Sequence, residues 1–442
     1  MSFVVQKPVY RREENQIQFH FALNEHLFCE TLILPPPPAP QSAIAPHFQS
    51  LLNLSACVLG TSYFKLLAPK DIAIPLFPLT PPQQRFVLDI YENGMGEFYA
   101  RNNLSRFGKL QIQVETTPTP SMKDLPAPKA NNKSLLLVGG GKDSNVSAQL
   151  LQNASLEFTP FAVNPKGPIL SSINAMGKKP LFVKRQLDPA MISLSGKPGF
   201  FNGHVPSTAI NSMIAAIVAT LFDYKNIILS NERSASEPNM FFDGRQVNHQ
   251  HSKSLHFEKL LGETLQQTTQ KHLACFSLLR PLSELKIASI FARTNTFDAN
   301  FSSCNSNFKQ GENGAILWCN SCPKCHFVYL MLAPFMPPER LLAIFGATPL
   351  SNTANLASFG ALAGLNDQKP WECVGETMEA AAAIHQLFLN SPFQSTPIIK
   401  QLAPKLIEKY TGEKLIAVFN DLFIDSKDHC IPRHFVTCLA KG

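Results

Sequence analysis

Three stretches of the chain carry residue types whose spacing can do chemistry. The first is Ser134-Leu-Leu-Leu-Val-Gly-Gly-Gly-Lys-Asp-Ser144. An apolar run enters three glycines, then a cation, an acid and a hydroxyl, and Val146, Leu150 and Leu151 recur at helical spacing. The pattern predicts strand, tight loop, helix. Consecutive glycines let the backbone approach an anion and turn its amides inward. The helix start adds free N–H groups and the positive end of its dipole. Gly139, Gly140 and Gly141 are thus expected to cradle a phosphate, with Lys142 adding a point charge, Ser144 a hydrogen bond and Asp143 a ligand for Mg²⁺. The spacing is not that of a Walker loop, which needs four residues between its first glycine and its Gly-Lys-Ser/Thr. A glycine turn in an unrelated α/β domain is the plainer alternative.

The second stretch is a cysteine cluster. Cys319, Cys322 and Cys325 lie in Trp318-Cys-Asn-Ser-Cys-Pro-Lys-Cys, and Cys304 precedes them across a loop. Four thiolates so spaced close a tetrahedral cage, for which zinc is the expected metal. A closed Cys₄ site has no open position, so its expected role is to hold a loop. An iron–sulfur cluster is the rival, and the following His326 fits it poorly. Cys29, Cys57, Cys275, Cys373, Cys430 and Cys438 have no ligand spacing and read as ordinary packing. The third stretch, Val247-Asn-His-Gln-His-Ser-Lys-Ser254, is dense in polar groups and precedes an amphipathic helix. A solvated loop ending in a helix cap would also explain it.

These residues need elements to position them. Residues 16–34 alternate as a hairpin turning at Asn24-Glu25-His26, and a proline run, Pro35 to Pro38, ends it. One helix is expected over 47–66, a short strand from Asp71 to Leu76, and a helix from Pro81 capped by Thr80. A Thr, Pro and Lys-rich stretch, 116–133, reads as a linker. Beyond the glycine loop, strands are expected at Phe158–Val163, Pro180–Lys184 and Asn226–Ser230, with a buried helix at Thr208–Phe222. Such alternation implies a parallel sheet covered by helices on both faces, with ligands at the carboxyl ends of its strands. Ser144, Asn164, Glu232 and Arg233 should lie at that edge. The expected division is an N-terminal α+β domain over 1–125, an α/β nucleotide domain with the cysteine cluster over 126–350, and a mainly helical segment over 351–442.

A chain of 442 residues is expected to hold two or three domains, and 45% apolar with 16% charged residues reads as a folded, soluble protein. The net charge of +7 suits an anionic small molecule as well as nucleic acid. No apolar run is long enough for a membrane span. Ten cysteines without an apolar leader argue for a reducing, cytoplasmic setting.

The glycine stretch resembles the Ser-Gly-Gly-X-Asp-Ser loop of the PP-loop ATP pyrophosphatases, with Gly139 in place of the serine. That resemblance implies a PP-loop (HUP-like) parallel sheet that splits ATP between its α and β phosphates, with Asn164 joining the loop in binding ATP. The loop with a late Cys₄ site also resembles the 7-cyano-7-deazaguanine synthases, as does His204-Val-Pro206, but those enzymes lack the long N-terminal domain. The fuller match is to the ATP-dependent UDP-N-acetylmuramoyl-L-alanyl-L-glutamate epimerases. It rests on Ser62-Tyr-Phe-Lys65, Gly94-Met-Gly-Glu-Phe98, Val138 to Ser144, Val247 to Ser254, Phe301-Ser-Ser-Cys304 and Trp318 to Phe327. It implies that a UDP-linked muramoyl dipeptide has its terminal L-glutamate inverted in peptidoglycan precursor synthesis, with ATP going to AMP and diphosphate.

On that resemblance, His249 and Lys253 are the expected acid and base, with His251 next. Glu232 and Arg233, with Asn248, Ser254 and Arg293, are the expected substrate and phosphate contacts. An ion pair at a strand end explains Glu232 and Arg233 nearly as well. Asn295, Asp298 and Asn300 would extend a polar wall from Arg293, and Lys65, Glu97 and Arg101 would grip the nucleotide-sugar half or lie on the surface. Two further readings stand beside this one. An adenylating amide or nitrile former would need a nitrogen donor, and a tRNA-modifying enzyme would show a basic stripe with interleaved aromatics, which is absent here.

Overall fold

A computed structural model describes residues 2–36, 46–115, 132–308, 317–366, 370, 372 and 374–440. Pro37, Pro38, most of the expected linker and Cys373 lie outside the described residues. In chain order the strands are β1 (Ser2–Val5), β2 (Val9–Arg11), β3 (Gln16–Leu23), β4 (His26–Ile33), β5 (Asp71–Ile74), β6 (Gln111–Val114) and β7 (Ser134–Leu137). They continue with β8 (Thr159–Val163), β9 (Leu181–Gln186), β10 (Asn226–Leu229), β11 (Met240–Phe242), β12 (Arg245–Val247) and β13 (Ala274–Ser277). One sheet runs β13-β10-β7-β8-β9-β4-β3-β1-β5-β6, with β2 on β3, and β11 and β12 form a separate hairpin.

The five strands from β13 to β9 are parallel. From β7 the chain moves outward through β8 and β9, then returns to add β10 and β13 on the other side. Helices cover both faces, as the alternation of strands and helices implies. Along the strands successive side chains serve opposite cores: Leu135, Phe161 and Ile227 face one, Leu136, Ala162 and Ile228 the other. The first core is shared with the N-terminal strands and the helices Pro46–Leu59, Ser207–Leu221 and Leu255–Thr268. The second is shared with Lys142–Asn153, Glu284–Phe291, Pro323–Leu332 and the C-terminal helices from Thr377 onward.

The N-terminal strands are joined to the parallel ones edge to edge. β4 pairs antiparallel with β9, Leu32 opposite Arg185. The guanidinium of Arg185 forks onto the fully buried Glu30 at 2.7 and 2.9 Å and also donates to the Ser62 hydroxyl at 2.8 Å. A bidentate pair of this kind fixes register as well as attraction.

Two local differences from expectation have clear causes. The helix expected over 47–66 is two pieces, Pro46–Leu59 and Thr61–Phe64. The Tyr91 hydroxyl donates to the Cys57 carbonyl at 2.8 Å and the Thr61 hydroxyl to that of Val58 at 2.8 Å, so side chains take acceptors that the helix ladder would use. Strand β13 carries no strand signal in the sequence, because Ala274–Ser277 has only one large apolar residue, Phe276, and no alternation.

The cap at Thr80 is as expected. Its hydroxyl accepts from Gln83 N, while the Gln83 side chain accepts from Thr80 N at 2.9 Å. Thr80→Ala should lower the unfolding free energy by about 1 kcal/mol, measured as a shifted urea midpoint at unchanged slope. Among the described residues no helix is long and apolar enough to cross a membrane.

Candidate active site

β7 and β10 are neighbours although the chain leaves them in opposite directions, which makes the gap beyond their carboxyl ends the switch point of the sheet. A cleft of about 510 Å³ opens there, lined by Gly139, Gly141, Asp143, Ser144, Ser230 and Lys253 among others. A larger cleft, about 860 Å³, lies at the opposite edge of the sheet, beside Ser134, Thr159 and Leu181. Ligands of such sheets sit at the carboxyl ends of the strands, which makes the smaller cleft the candidate site.

Each glycine of the loop has a distinct reason to be there. Gly140 adopts φ +81°, and a Cβ on it would stand 2.9 Å from Ile169 N and 3.0 Å from Pro168 C. Its carbonyl accepts from Ser302 N at 2.9 Å and from the Ser172 hydroxyl at 3.2 Å. Gly141 would set a Cβ 2.7 Å from the Ser303 hydroxyl. Gly139 has nothing within 4 Å on its open side. The helix Lys142–Asn153 starts at Gly141 with no side-chain cap, leaving its first N–H groups to whatever occupies the cleft.

Lys142 does not share this orientation. Its side chain is buried beneath the loop and its ammonium pairs with Asp143 and Glu284. Burial opposes the charge, but the two carboxylates outweigh it and raise Lys142 above the ordinary lysine value. Glu284 is pushed up to about 7 by burial against the pull of Lys142. Glu379, on the C-terminal helix Thr377–Leu389, accepts from Leu285 N at 2.8 Å through one oxygen. Its other oxygen is buried without a partner among the described residues.

The Glu379 carboxyl is pushed up to about 8, by burial first and by the charge of Glu284 second. Between the ordinary glutamate value and about 8, the folded chain therefore holds a proton here that the unfolded chain has lost. Stability contributed by this group falls as pH rises through that window. Glu379→Gln keeps the neutral shape. It should melt with the parent near pH ~4 to 5 and several degrees above it near pH ~8, read by thermal melts across that range.

The four cysteine sulfurs converge. The Sγ atoms of Cys304, Cys319, Cys322 and Cys325 all lie within 4.8 Å of one another, with Cys322 and Cys319 at 3.5 and 3.8 Å from Cys325. Tetrahedral zinc with bonds near 2.3 Å sets sulfurs about 3.8 Å apart, so the donor set fits that ion. Ser302, Ser303 and Asn305 flank Cys304, Lys324 lies between Cys322 and Cys325, and all four line the cleft. A cation in this cage would thus hold one wall of the cleft in place. The remaining cysteines among the described residues are free thiols.

The polar stretch divides by function. His249 Nδ1 meets the Glu97 carboxylate, and His204 Nδ1 lies 3.3 Å from the same oxygen. Arg101 donates to the other Glu97 oxygen at 2.6 Å. His251 Nε2 is held 2.8 Å from Asp89. Lys253 reaches the cleft. Asn248 serves the backbone, donating to Ala235 O at 2.9 Å and accepting from Gln250 N at 2.7 Å. Ser254 caps the helix Leu255–Thr268, accepting from Phe257 N at 3.2 Å.

Other expected residues stand outside the cleft lining. Asn164, at φ +47°, exchanges two 2.8 Å bonds with the backbone of Arg185. Arg233 donates to Ile424 O at 3.4 Å, and the Glu232 carboxylate accepts from Ser234 at 3.0 Å. Arg293 is exposed, and Asp298 forks onto Arg340 at 2.8 and 2.9 Å. Lys65 donates to Asn202 at 2.9 Å. Sequence reasoning did not single out His204 as a titrating group or Glu97 as its partner. The available signal was Gly94-Met-Gly96, because a Cβ at Gly94 would stand 3.3 Å from Pro206 and one at Gly96 3.2 Å from Val247. Those glycines let the two histidine-bearing segments close on Glu97.

The sheet order and the position of the cleft define an α/β protein with a cleft at the switch point of its parallel strands. More specifically, the chain belongs to the MurL family: residues 1–278 match the MurL N-terminal domain and residues 300–416 the MurL C-terminal domain. A UDP-N-acetyl-alpha-D-muramoyl-L-alanyl-L-glutamate epimerase of Micromonospora sp. is 36% identical, over 96% of this chain and 94% of its own. Proteins of the same name from Salinispora tropica and Xanthomonas oryzae pv. oryzae are 39% and 38% identical. They cover 87% and 84% of this chain, and 84% and 82% of their own lengths.

Proposed function

We propose that this chain is an ATP-dependent epimerase that inverts the terminal L-glutamate of UDP-N-acetylmuramoyl-L-Ala-L-Glu to D-glutamate. The observation that carries the reading is its likeness, over 96% of its length, to an epimerase named for that substrate. The chemistry follows from the acidity of the substrate. An α-proton beside a free carboxylate is barely acidic, because its removal builds a second negative charge. Joining the carboxylate to AMP, with diphosphate leaving, removes that charge and makes the carbonyl an electron sink. An ordinary side chain can then take the proton.

In this reading the loop Gly139–Ser144 is that of a PP-loop ATP pyrophosphatase, and the strand order β9-β8-β7-β10-β13 supports it. The N–H groups at the start of the helix Lys142–Asn153 hold the phosphates, and Asp143 holds Mg²⁺. Lys142 acts from below by fixing Asp143. Zinc in the Cys₄ cage keeps Ser303, Asn305 and Lys324 against the nucleotide. His249 and Lys253 belong to the group of side chains that handles the proton, with His251 tied to Asp89 as the reserve candidate. Glu232, one of the substrate contacts in this reading, adds to the field on Glu284.

Incubation with ATP, Mg²⁺ and the UDP-linked L-Ala-L-Glu precursor, without any ammonia source, should yield AMP and diphosphate. ADP as the product would remove the pyrophosphatase assignment, and a requirement for ammonia would favour an amide-forming ligase.

A further inference from the structure

We propose that His204 is the group that takes the α-proton, and that Glu97 is a positioning residue shared by His204 and His249. This deepens the epimerase reading and rests on it. Three segments far apart in sequence are brought to one point. Glu97 is buried on the helix Gly96–Arg101, His204 sits in the loop that enters the helix Ser207–Leu221, and His249 follows β12. The imidazole centroids are 4.9 Å apart, and both rings contact one Glu97 oxygen.

The loop bearing His204 is fixed from several sides. Asn102 donates to Asn202 O at 3.3 Å, Lys65 and Gly203 N both donate to the Asn202 side chain, and Pro206 packs against Gly94. Such fixation is more than a solvated loop needs. The cleft lining comes close to the trio along the chain: Ser207 and Thr208 line it shortly after His204, and Lys253, whose charge acts on His204, lines it shortly after His249. Both rings keep partial exposure, 23% and 16%, so a substrate group can reach them.

The charges around His204 decide what the trio is for. Glu97, His249, Lys253 and Arg101 are the ionisable groups that face it. Burial, and then His249, push His204 down to about 4 against the pull of Glu97, so its free ring is neutral at neutral pH, with a nitrogen lone pair open to a proton. Burial alone would raise Glu97, but His249, His204 and Arg101 hold it below the usual carboxylate range, as an anion. Two imidazoles and a carboxylate within 4.8 Å also match the donors of a divalent cation. Arg101 already occupies one Glu97 oxygen, and Lys253 adds a second positive charge, which disfavours a metal and favours proton transfer.

Proton removal and return need only the activated substrate and water, and water then cleaves the acyl–phosphate bond to release AMP and restore the carboxylate. The α C–H bond breaks, its electron pair delocalises into the activated carbonyl as an enolate, and the proton goes to His204. The Lys253 ammonium returns a proton to the opposite face, and exchange with water resets both groups.

The test uses the full chain with ATP, Mg²⁺ and the UDP-linked dipeptide in D₂O, reading AMP release and α-deuterium separately. His204→Asn should release AMP yet lose α-deuterium incorporation by roughly 10²- to 10⁴-fold, the usual worth of a general base. Glu97→Gln should lose less, and its acid limb should move, which a purely structural residue would not cause. AMP release with unaltered deuterium incorporation in His204→Asn would overturn this assignment alone. Loss of both readouts in that variant, or a stoichiometric metal at the trio that activity requires, would also overturn it. Absence of AMP with the wild-type chain would defeat the activation reading itself, and this assignment with it.

Discussion

Gly140→Ala should cut ATP-dependent turnover about a hundredfold, whereas Gly139→Ser should be tolerated, and this contrast is the sharpest result expected of the loop. Gly140 sits at φ +81°, where a β-carbon costs about 1–2 kcal/mol before any contact is counted. The contact is with backbone, Ile169 N at 2.9 Å, which cannot rotate away. The loop must therefore shift, and the carbonyl of Gly140 must leave Ser302 and Ser172. Displacement of a phosphate cradle by about 1 Å is worth about a hundredfold in rate. Gly139 lacks both constraints, having no positive φ and nothing near its open side. AMP release by the two variants, beside circular dichroism to show that both fold, checks the contrast. Equal activities would mean that the cradle is not where the nucleotide is split.

Metal removal is expected to have a comparable effect by a different route. Cys304 lies in the segment that lines the cleft through Ser302, Ser303 and Asn305, and Lys324 projects from between two other cysteines. Without the charge of a cation to draw them together, the four sulfurs take up protons and the cage opens. Ser302 then loses its hold on Gly140, so damage reaches the loop from the far wall. Prolonged chelation should cut AMP release about a hundredfold or more and lower the melting temperature, with recovery on adding zinc. Cys304→Ser should match the chelated protein, while Cys430→Ser, at a cysteine outside the cage, should not. Full activity in metal-free protein would show that the cage is dispensable for holding the wall.

Local signals in the sequence translated well into elements. The glycine loop between an apolar run and a helical repeat, the Thr80 cap and the hairpin at Asn24-Glu25 are all decided within a dozen residues, where backbone preference and periodicity operate. The cysteine spacing likewise predicted a convergence that the structure contains. What sequence could not reveal depends on partners distant along the chain. The break after Leu59 comes from Tyr91 and Thr61, β13 is a strand because β10 accepts it, and the two groups of strands form one sheet through β4 and β9. Lys142 illustrates the same limit within the site. Its position beside the glycines suggests a phosphate contact, yet Glu284, some 140 residues later, draws it inward. Likewise nothing local in Gly94-Met-Gly-Glu97 announces that two histidine segments will close upon it.

The central claim is that a substrate carboxylate is activated in the cleft so that its α-proton can leave. The measurement that meets it most directly is solvent deuterium entry at the glutamate α-carbon, with and without ATP, followed by the chirality of the glutamate freed from the product by acid hydrolysis. Deuterium entry only when ATP is present, accompanied by AMP and by D-glutamate, is the predicted result. Exchange or inversion in the absence of nucleotide would contradict it.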